Sequence, residues 1–269
     1  MKHFGKIVSY LILAINAFFV GMLILTAYSP YLHPKIHPLA SCLGLTFPIF
    51  LAINICFVIF WLIINYRYTV LTIVGLLVCY QQIQTYIPIN FTDKSIPENS
   101  IKLLSYNVMG FNNLEKKDEK NPILSYLSES GADIICLQEY NASGNQKYVT
   151  EKDIKKALKA YPYYSIRRPG TGDSQLACFS KFPIISAIPI NYESSYNGSM
   201  QYTLKVNKDT ITLINNHLES NKLTKEDRGI YEDMINDPNA RKVKTGLRQL
   251  VKKLAEASSI RSAQADSVA

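Results

Sequence analysis

Apolar and polar positions alternate in two different regimes along this chain. Ile7 to Tyr28 is an uncharged, mainly apolar stretch of 22 residues. As a helix it would reach roughly 33 Å, enough to cross a bilayer. Leu43 to Ile64 is a second stretch of the same length. Thr69 to Tyr80 is shorter, but uncharged residues continue through Gln81, Gln82 and Gln84 to Ile87, and 69–87 is read as a third span. Beyond residue 100 the pattern changes to short β-rich apolar runs punctuated by Gly, Pro and Asn. Strands are predicted at Ile101–Val108, Ile134–Leu137, Tyr163–Arg167, Gln175–Ser180, Ile184–Ile190, Met200–Val206 and Thr210–Leu218. Asn121-Pro122 opens a helix to about Ser130 with Gly131 as its stop, and Thr150–Ala160 places Ile154, Ala157 and Leu158 at helical spacing. Asn239 to Ala269 reads as a long amphipathic helix with Val243, Leu247, Leu250, Val251, Leu254 and Ala257 on one face. The pattern predicts an α/β chain in which sheets pack on each other between helices.

Charge sharpens the division. Of the 29 Lys and Arg residues only Lys2, Lys6, Lys35 and Arg67 precede residue 92, whereas all 21 Asp and Glu residues follow it. The expected organisation is a transmembrane region at 1–91, a linker at 92–100 carrying Asp93, Pro97, Glu98 and Asn99, and a polar domain from 101 to 269. The first apolar stretch is too long for a cleavable signal, and no small-residue cleavage pattern follows it. Lys2, Lys6 and Arg67 on one side, against Lys35 on the other, favour a cytoplasmic N-terminus. Three crossings then leave the large domain outside the cytoplasm; two would leave it inside. Trp61, Tyr66, Tyr68, Tyr80 and Tyr86 near the span ends suit membrane interfaces, and core packing would explain any one of them.

Residues 92–269 hold 25 basic and 21 acidic residues, a balance of +4 that selects no particular anionic partner. The lysines of 150–160 read as a solvated helix face, with a nucleic-acid patch as the alternative, the charged segment Glu115–Lys120 as a solvated loop, and Lys181 as structural or peripheral. The loop Arg167–Asp173 could meet phosphate or form a surface turn. Cys136 and Cys178 fall inside strands and read as buried thiols; a disulfide between them would suit an oxidising compartment, but spacing does not decide it. His217 is the only histidine after residue 91, which leaves no cysteine–histidine nucleophile.

Three predicted strands end in polar side chains: Asn107, Glu139 and the Asn215-Asn216-His217 group. A carboxylate at a strand's C-terminal end can face a crevice and offer its oxygens to a hard cation. Together, Ser105-Tyr106-Asn107-Val108, Asp133 to Glu139, Ser180-Lys181-Phe182-Pro183-Ile184 and Asn215-Asn216-His217-Leu218 resemble, in order and spacing, the endonuclease/exonuclease/phosphatase family. That resemblance implies a DNase I-like two-layer β-sandwich flanked by helices. It also implies attack of activated water on a phosphodiester or phosphomonoester, assisted by Mg²⁺ or alternatively Mn²⁺. By motif, Glu139 would bind the metal, Asn107 would help position the phosphate or a catalytic aspartate, and His217 would contact the phosphate. The substrate could be a lipid headgroup, a nucleic acid or a small phosphodiester, with the membrane location favouring a lipid headgroup or an extracytoplasmic diester.

Two departures qualify the resemblance. Asn216 stands where the family usually has a small hydroxyl residue. The later Gly-Asp-Phe-Asn and Ser-Asp-His motifs do not occur, although Arg261-Ser262-Ala263-Gln264-Ala265 has the character of the helix that precedes them. The chain is therefore expected to be a truncated gene product, nearly or wholly inactive by itself. The alternative function is a membrane-tethered binding or scaffold protein that keeps the fold without the chemistry.

Overall fold

The structure, a computed structural model, describes residues 2–89, 97, 100–113, 121–169, 174–194, 196–221, 223–236 and 239–269. The expected linker, apart from Pro97 and Ser100, lies outside the described residues, as does all of Glu115–Lys120. Two compact units emerge, one of residues 1–93 and 221–262, the other of 94–220 and 263–269.

The first unit begins with α1 (Lys2–Ala27), α2 (Pro38–Ser41), α3 (Phe47–Ile64), α4 (Thr69–Val78) and α5 (Tyr80–Tyr86). Two stretches, Gly5–Tyr31 and Pro38–Ile64, are long and apolar enough to cross a membrane, whereas Tyr66–Val78 is shorter. The expected third span is two helices that meet at Cys79, whose ψ of 12° departs from the α-helical backbone. Helical bonding nevertheless crosses Cys79, whose N–H donates to Gly75 O and whose carbonyl accepts from Ile83 N.

In these helices many large apolar side chains lie on the outside, and several polar ones are buried beside the Leu23–Phe47–Leu51 cluster. Leu11, Phe18, Ile59, Ile63 and Leu77 are exposed, while Asn16, Asn54 and Thr72 are buried. The Asn16 side-chain oxygen accepts from Trp61 Nε1 at 3.0 Å and from Thr72 Oγ1 at 2.8 Å, joining α1, α3 and α4. Asn54 Nδ2 donates to the carbonyls of Phe19 and Phe50. A Cβ on Gly75 would meet Val20 Cγ1 at 2.6 Å, so glycine is what lets α4 approach α1 this closely.

The second unit contains β1 (Leu103–Asn107), α6 (Pro122–Glu129), β2 (Ile134–Gln138), α7 (Glu151–Ala157), β3 (Tyr163–Arg167), β4 (Leu176–Ser180), β5 (Ile184–Ile190), β6 (Gly198–Val206) and β7 (Asp209–His217). One sheet has the order β1-β2-β4-β3, the other β5-β6-β7. Among the described strands only β1 and β2 run parallel. The parallel pair follows from the α6 crossover, whose start is fixed by Asn121 accepting from the N–H groups of Ile123 and Leu124. Thr150 and Asp153 form a reciprocal cap that starts α7.

Both β2 and β4 are buried along their whole length, which explains their unbroken apolar sequences. One face of these strands, Ile134, Cys136, Leu176 and Cys178, packs on Met200, Tyr202, Leu204 and Val206 of β6. The other, Ile135, Leu137, Ala177 and Phe179, is covered by Leu124 and Leu127 of α6, Ile154 of α7, and Leu158 and Tyr161. The result is a mixed α/β, two-layer sandwich with helices on one outer face.

Two further helices follow, α8 (Lys225–Asn236) and α9 (Ala240–Val268). Lys253 Nζ lies 2.5 Å from Asp227 Oδ2 and ties them together. The apolar pattern does not announce α8, whose sequence is dominated by charged and polar residues.

Candidate functional site

Asn107, Glu139 and His217 meet. Asn107 Nδ2 donates to Glu139 Oε1 at 2.8 Å, and His217 Nε2 lies 3.3 Å from the same oxygen. The parallel register brings two of them together, because Asn107 is opposite Gln138, the residue before Glu139. His217 closes β7, opposite Gly198 at the start of β6.

Backbone conformation aims the carboxylate. Glu139 has φ 53°, in the left-handed region that side chains disfavour. That turn breaks the alternation of β2 and is fastened on both sides. Val108 N donates to Gln138 O, Gly110 N to Glu139 O, and Tyr140 N to Gln175 O. The Asn107 side-chain oxygen accepts from Met109 N at 3.0 Å, which fixes its amide so that the NH₂ faces Glu139.

A buried amide link lies beneath the site. Gln138 Nε2 donates to Asn215 Oδ1 at 2.6 Å and to Ser105 Oγ at 3.1 Å. Asn215 Nδ2 donates in turn to the carbonyls of Leu137 and Ala177. Residues adjacent to or two removed from Glu139 and His217 thus bind the sheets to each other, and the separation of the functional pair is set from below. Ser174 Oγ stands 3.3 Å from His217 Nδ1, so the imidazole has a partner on each nitrogen. With Nε2–H toward Glu139, Nδ1 accepts the Ser174 hydroxyl proton.

The stretch after His217 is anchored as well. Asn197 Nδ2 donates to Leu218 O, Ser194 Oγ to buried Glu219, and Glu219 N to Gln264 Oε1. Sequence reasoning missed Ser174, Gln138 and the Glu219–Gln264 contact. For Gln264 a signal existed, since it lies in the Arg261–Ala265 segment already singled out.

Other candidates fall elsewhere. Lys181 Nζ pairs with Asp133 Oδ1 at 3.0 Å, at the end of β2 opposite Glu139. Asp133 Oδ2 also accepts from Lys102 N. This backbone bond, followed by the one from Lys181, holds the Asp133 carboxyl below the ordinary carboxylate range. Arg167 and Arg168 are exposed, and the loop's residues 170–173 lie outside the described residues.

Among the described residues no three His, Cys, Asp or Glu side chains cluster. A cage of nitrogen and sulfur ligands for a transition metal therefore has no basis there. A hard cation makes smaller demands: Mg²⁺ commonly takes one or two carboxylates and keeps several waters. Glu139 fits that donor set, because its side chain is 36% exposed and its two protein neighbours share one oxygen.

Comparison with known proteins follows the division of the chain. Residues 9–86 match a family model described as a domain of unknown function. Residues 104–252, more than half of the chain, match the Endonuclease/Exonuclease/phosphatase family model. No curated protein matches the chain. Similar solved structures include an endonuclease/exonuclease/phosphatase from Beutenbergia cavernae DSM 12333, at 11% identity and a TM-score of 0.35, covering 48% of this chain and 41% of that one. Truncated TDP2 from Caenorhabditis elegans matches at 19% identity and a TM-score of 0.30, covering 53% and 56%. SmcL matches at 15% identity and a TM-score of 0.32, covering 57% and 59%. The chain thus spans about half the length of the solved structures it matches. The family model spans the strands that carry Asn107, Glu139 and His217, and the chain belongs to the endonuclease/exonuclease/phosphatase family.

Proposed function

We propose that this chain is a membrane-anchored, divalent-metal-dependent phosphoesterase acting on a phosphodiester or phosphomonoester. The observation that carries the proposal is the convergence of Asn107, Glu139 and His217 from three separate strands on one carboxylate oxygen. Glu139 would hold Mg²⁺ or Mn²⁺. When bound, the cation would supply neutralisation of the phosphoryl oxygens and a means of activating water.

The protein groups have distinct tasks. Asn107 keeps Glu139 turned out of the sandwich and retains an amide hydrogen for a phosphate oxygen. His217 would exchange its Nε2 contact with Glu139 for a donor contact to developing charge, while Ser174 restrains its ring through Nδ1. The buried Gln138–Asn215 link resists any drift of β7 away from β2. Membrane anchoring is supported by the two long apolar helices and by their exposed apolar, buried polar surfaces.

The test is hydrolysis by the full chain in detergent, with Mg²⁺ or Mn²⁺, of a single-stranded oligonucleotide, a phospholipid and an aryl phosphodiester. Turnover of one class that falls by at least about 100-fold in both Glu139→Gln and His217→Ala would support the assignment and identify the substrate class. Metal binding without turnover of any phosphoester would instead identify a binding protein on this fold. Turnover indifferent to Glu139 would refute the assignment.

A further inference from the structure

We propose that Cys136 and Cys178 form a disulfide site that staples β2 to β4 inside the sandwich. The two residues are direct cross-strand partners in the antiparallel β2–β4 pair. Directly opposed residues point to the same face of a sheet, and both thiols lie in the cluster between the two sheets, essentially without solvent exposure. Opposed Cα atoms in such pairs stand about 4.5–5.5 Å apart, inside the range of about 4.4–6.8 Å that a disulfide spans. A side-chain hydrogen bond from Cys136, followed by burial, raises the Cys178 thiol well above its ordinary range. The sulfurs are therefore already neighbours, and both are free thiols in the structure.

Burial determines when the bond can form. No oxidant reaches these sulfurs in the folded sandwich, so the reaction belongs to folding, before β6 closes over them. One cysteine thiolate attacks a donor disulfide, such as an oxidised small thiol or a disulfide oxidoreductase, and expels one donor thiolate. The second cysteine thiolate attacks the resulting mixed disulfide and expels the other. The chain loses two hydrogens and the donor leaves as a dithiol or two thiols. Once closed, the bridge joins the strand that leads into Glu139 to the strand preceded by Ser174, and so stiffens two sides of the candidate site. An oxidising compartment would favour it, in keeping with a domain outside the cytoplasm. The β2–β4 register places the two cysteines opposite each other whether or not the site is catalytic.

Cell-free synthesis of the full chain into detergent micelles would test it, one batch with oxidised glutathione and one with dithiothreitol. Free thiols are blocked with N-ethylmaleimide under denaturing conditions, and the non-reduced digest is weighed. The expected product of the oxidising batch is a Cys136–Cys178 linked peptide pair, lighter by two hydrogens, in preference to any link with Cys42, Cys56 or Cys79. Its melting temperature should exceed that of the reduced batch by roughly 10 °C. Cys178→Ser should abolish the linked pair and leave Cys136 as the adduct. Recovery of both cysteines as adducts from protease-resistant, oxidised-batch protein would overturn the proposal, as would a dominant link to any other cysteine.

Discussion

Glu139 shows how one residue's backbone decides what its side chain can do. A continued strand would have directed it by simple alternation, whereas a φ of 53° rotates it toward Asn107 and His217. These three residues were legible in the sequence because each interrupts an apolar run with a polar group at its end. Ser174 and the Gln138–Asn215 link were not, because a contact across two sheets depends on register between distant segments, and no local pattern encodes it. Asn215 illustrates the consequence. It is 2% exposed, and its amide satisfies Gln138 and two strand carbonyls at once. Asn215→Ala should destabilise the sandwich by about 2–3 kcal/mol, since buried polar groups lose their partners. Urea denaturation checks this; a change within error of zero would show that the link contributes nothing to holding the sheets together.

At the level of elements, the sequence pattern recovered the seven described strands, β3 and β5 at their observed bounds and the others with ends displaced by at most two residues. Strands buried on both faces, such as β2 and β4, are visible as continuous apolar runs, and β6 as an alternation. The polar helix α8 was invisible for the opposite reason: its composition carries little hydrophobic signal. The start of β2 is secured by Asp133, which accepts from Lys102 N before β1 and from Lys181 Nζ after β4. Those contacts lower the Asp133 pKa, so its contribution to stability is present above the ordinary carboxylate pKa and is lost as pH falls through the depressed folded value. Melting temperature should therefore decline as pH drops below about 4. In Asp133→Asn part of that slope should disappear; an unchanged slope would mean that other carboxylates govern the acid transition.

On the scale of the whole molecule, the chain joins two kinds of sequence, an apolar N-terminal part without Asp or Glu and a polar remainder that holds all 21 of them. The N-terminal helices bury asparagine and threonine beside Leu23, Phe47 and Trp61 while exposing many leucine, isoleucine and phenylalanine side chains, a surface that suits the proposed membrane anchoring. Under the proposed membrane anchoring, the number of crossings would decide which side of the membrane carries the sandwich, and α4 with its ten residues is the element in question. If α4 and α5 cross together, an impermeant protease added to intact cells should cleave the domain 101–269, whereas cleavage only in inverted vesicles would place it in the cytoplasm. The central claim, that the convergence around Glu139 is a metal-dependent phosphoester site, is tested most directly by titrating the full chain with Mn²⁺ and counting bound metal by electron paramagnetic resonance. We predict one saturable site in the unsubstituted chain and in Lys181→Met, and its loss in Glu139→Gln. Equal binding by the Glu139→Gln chain would contradict the account.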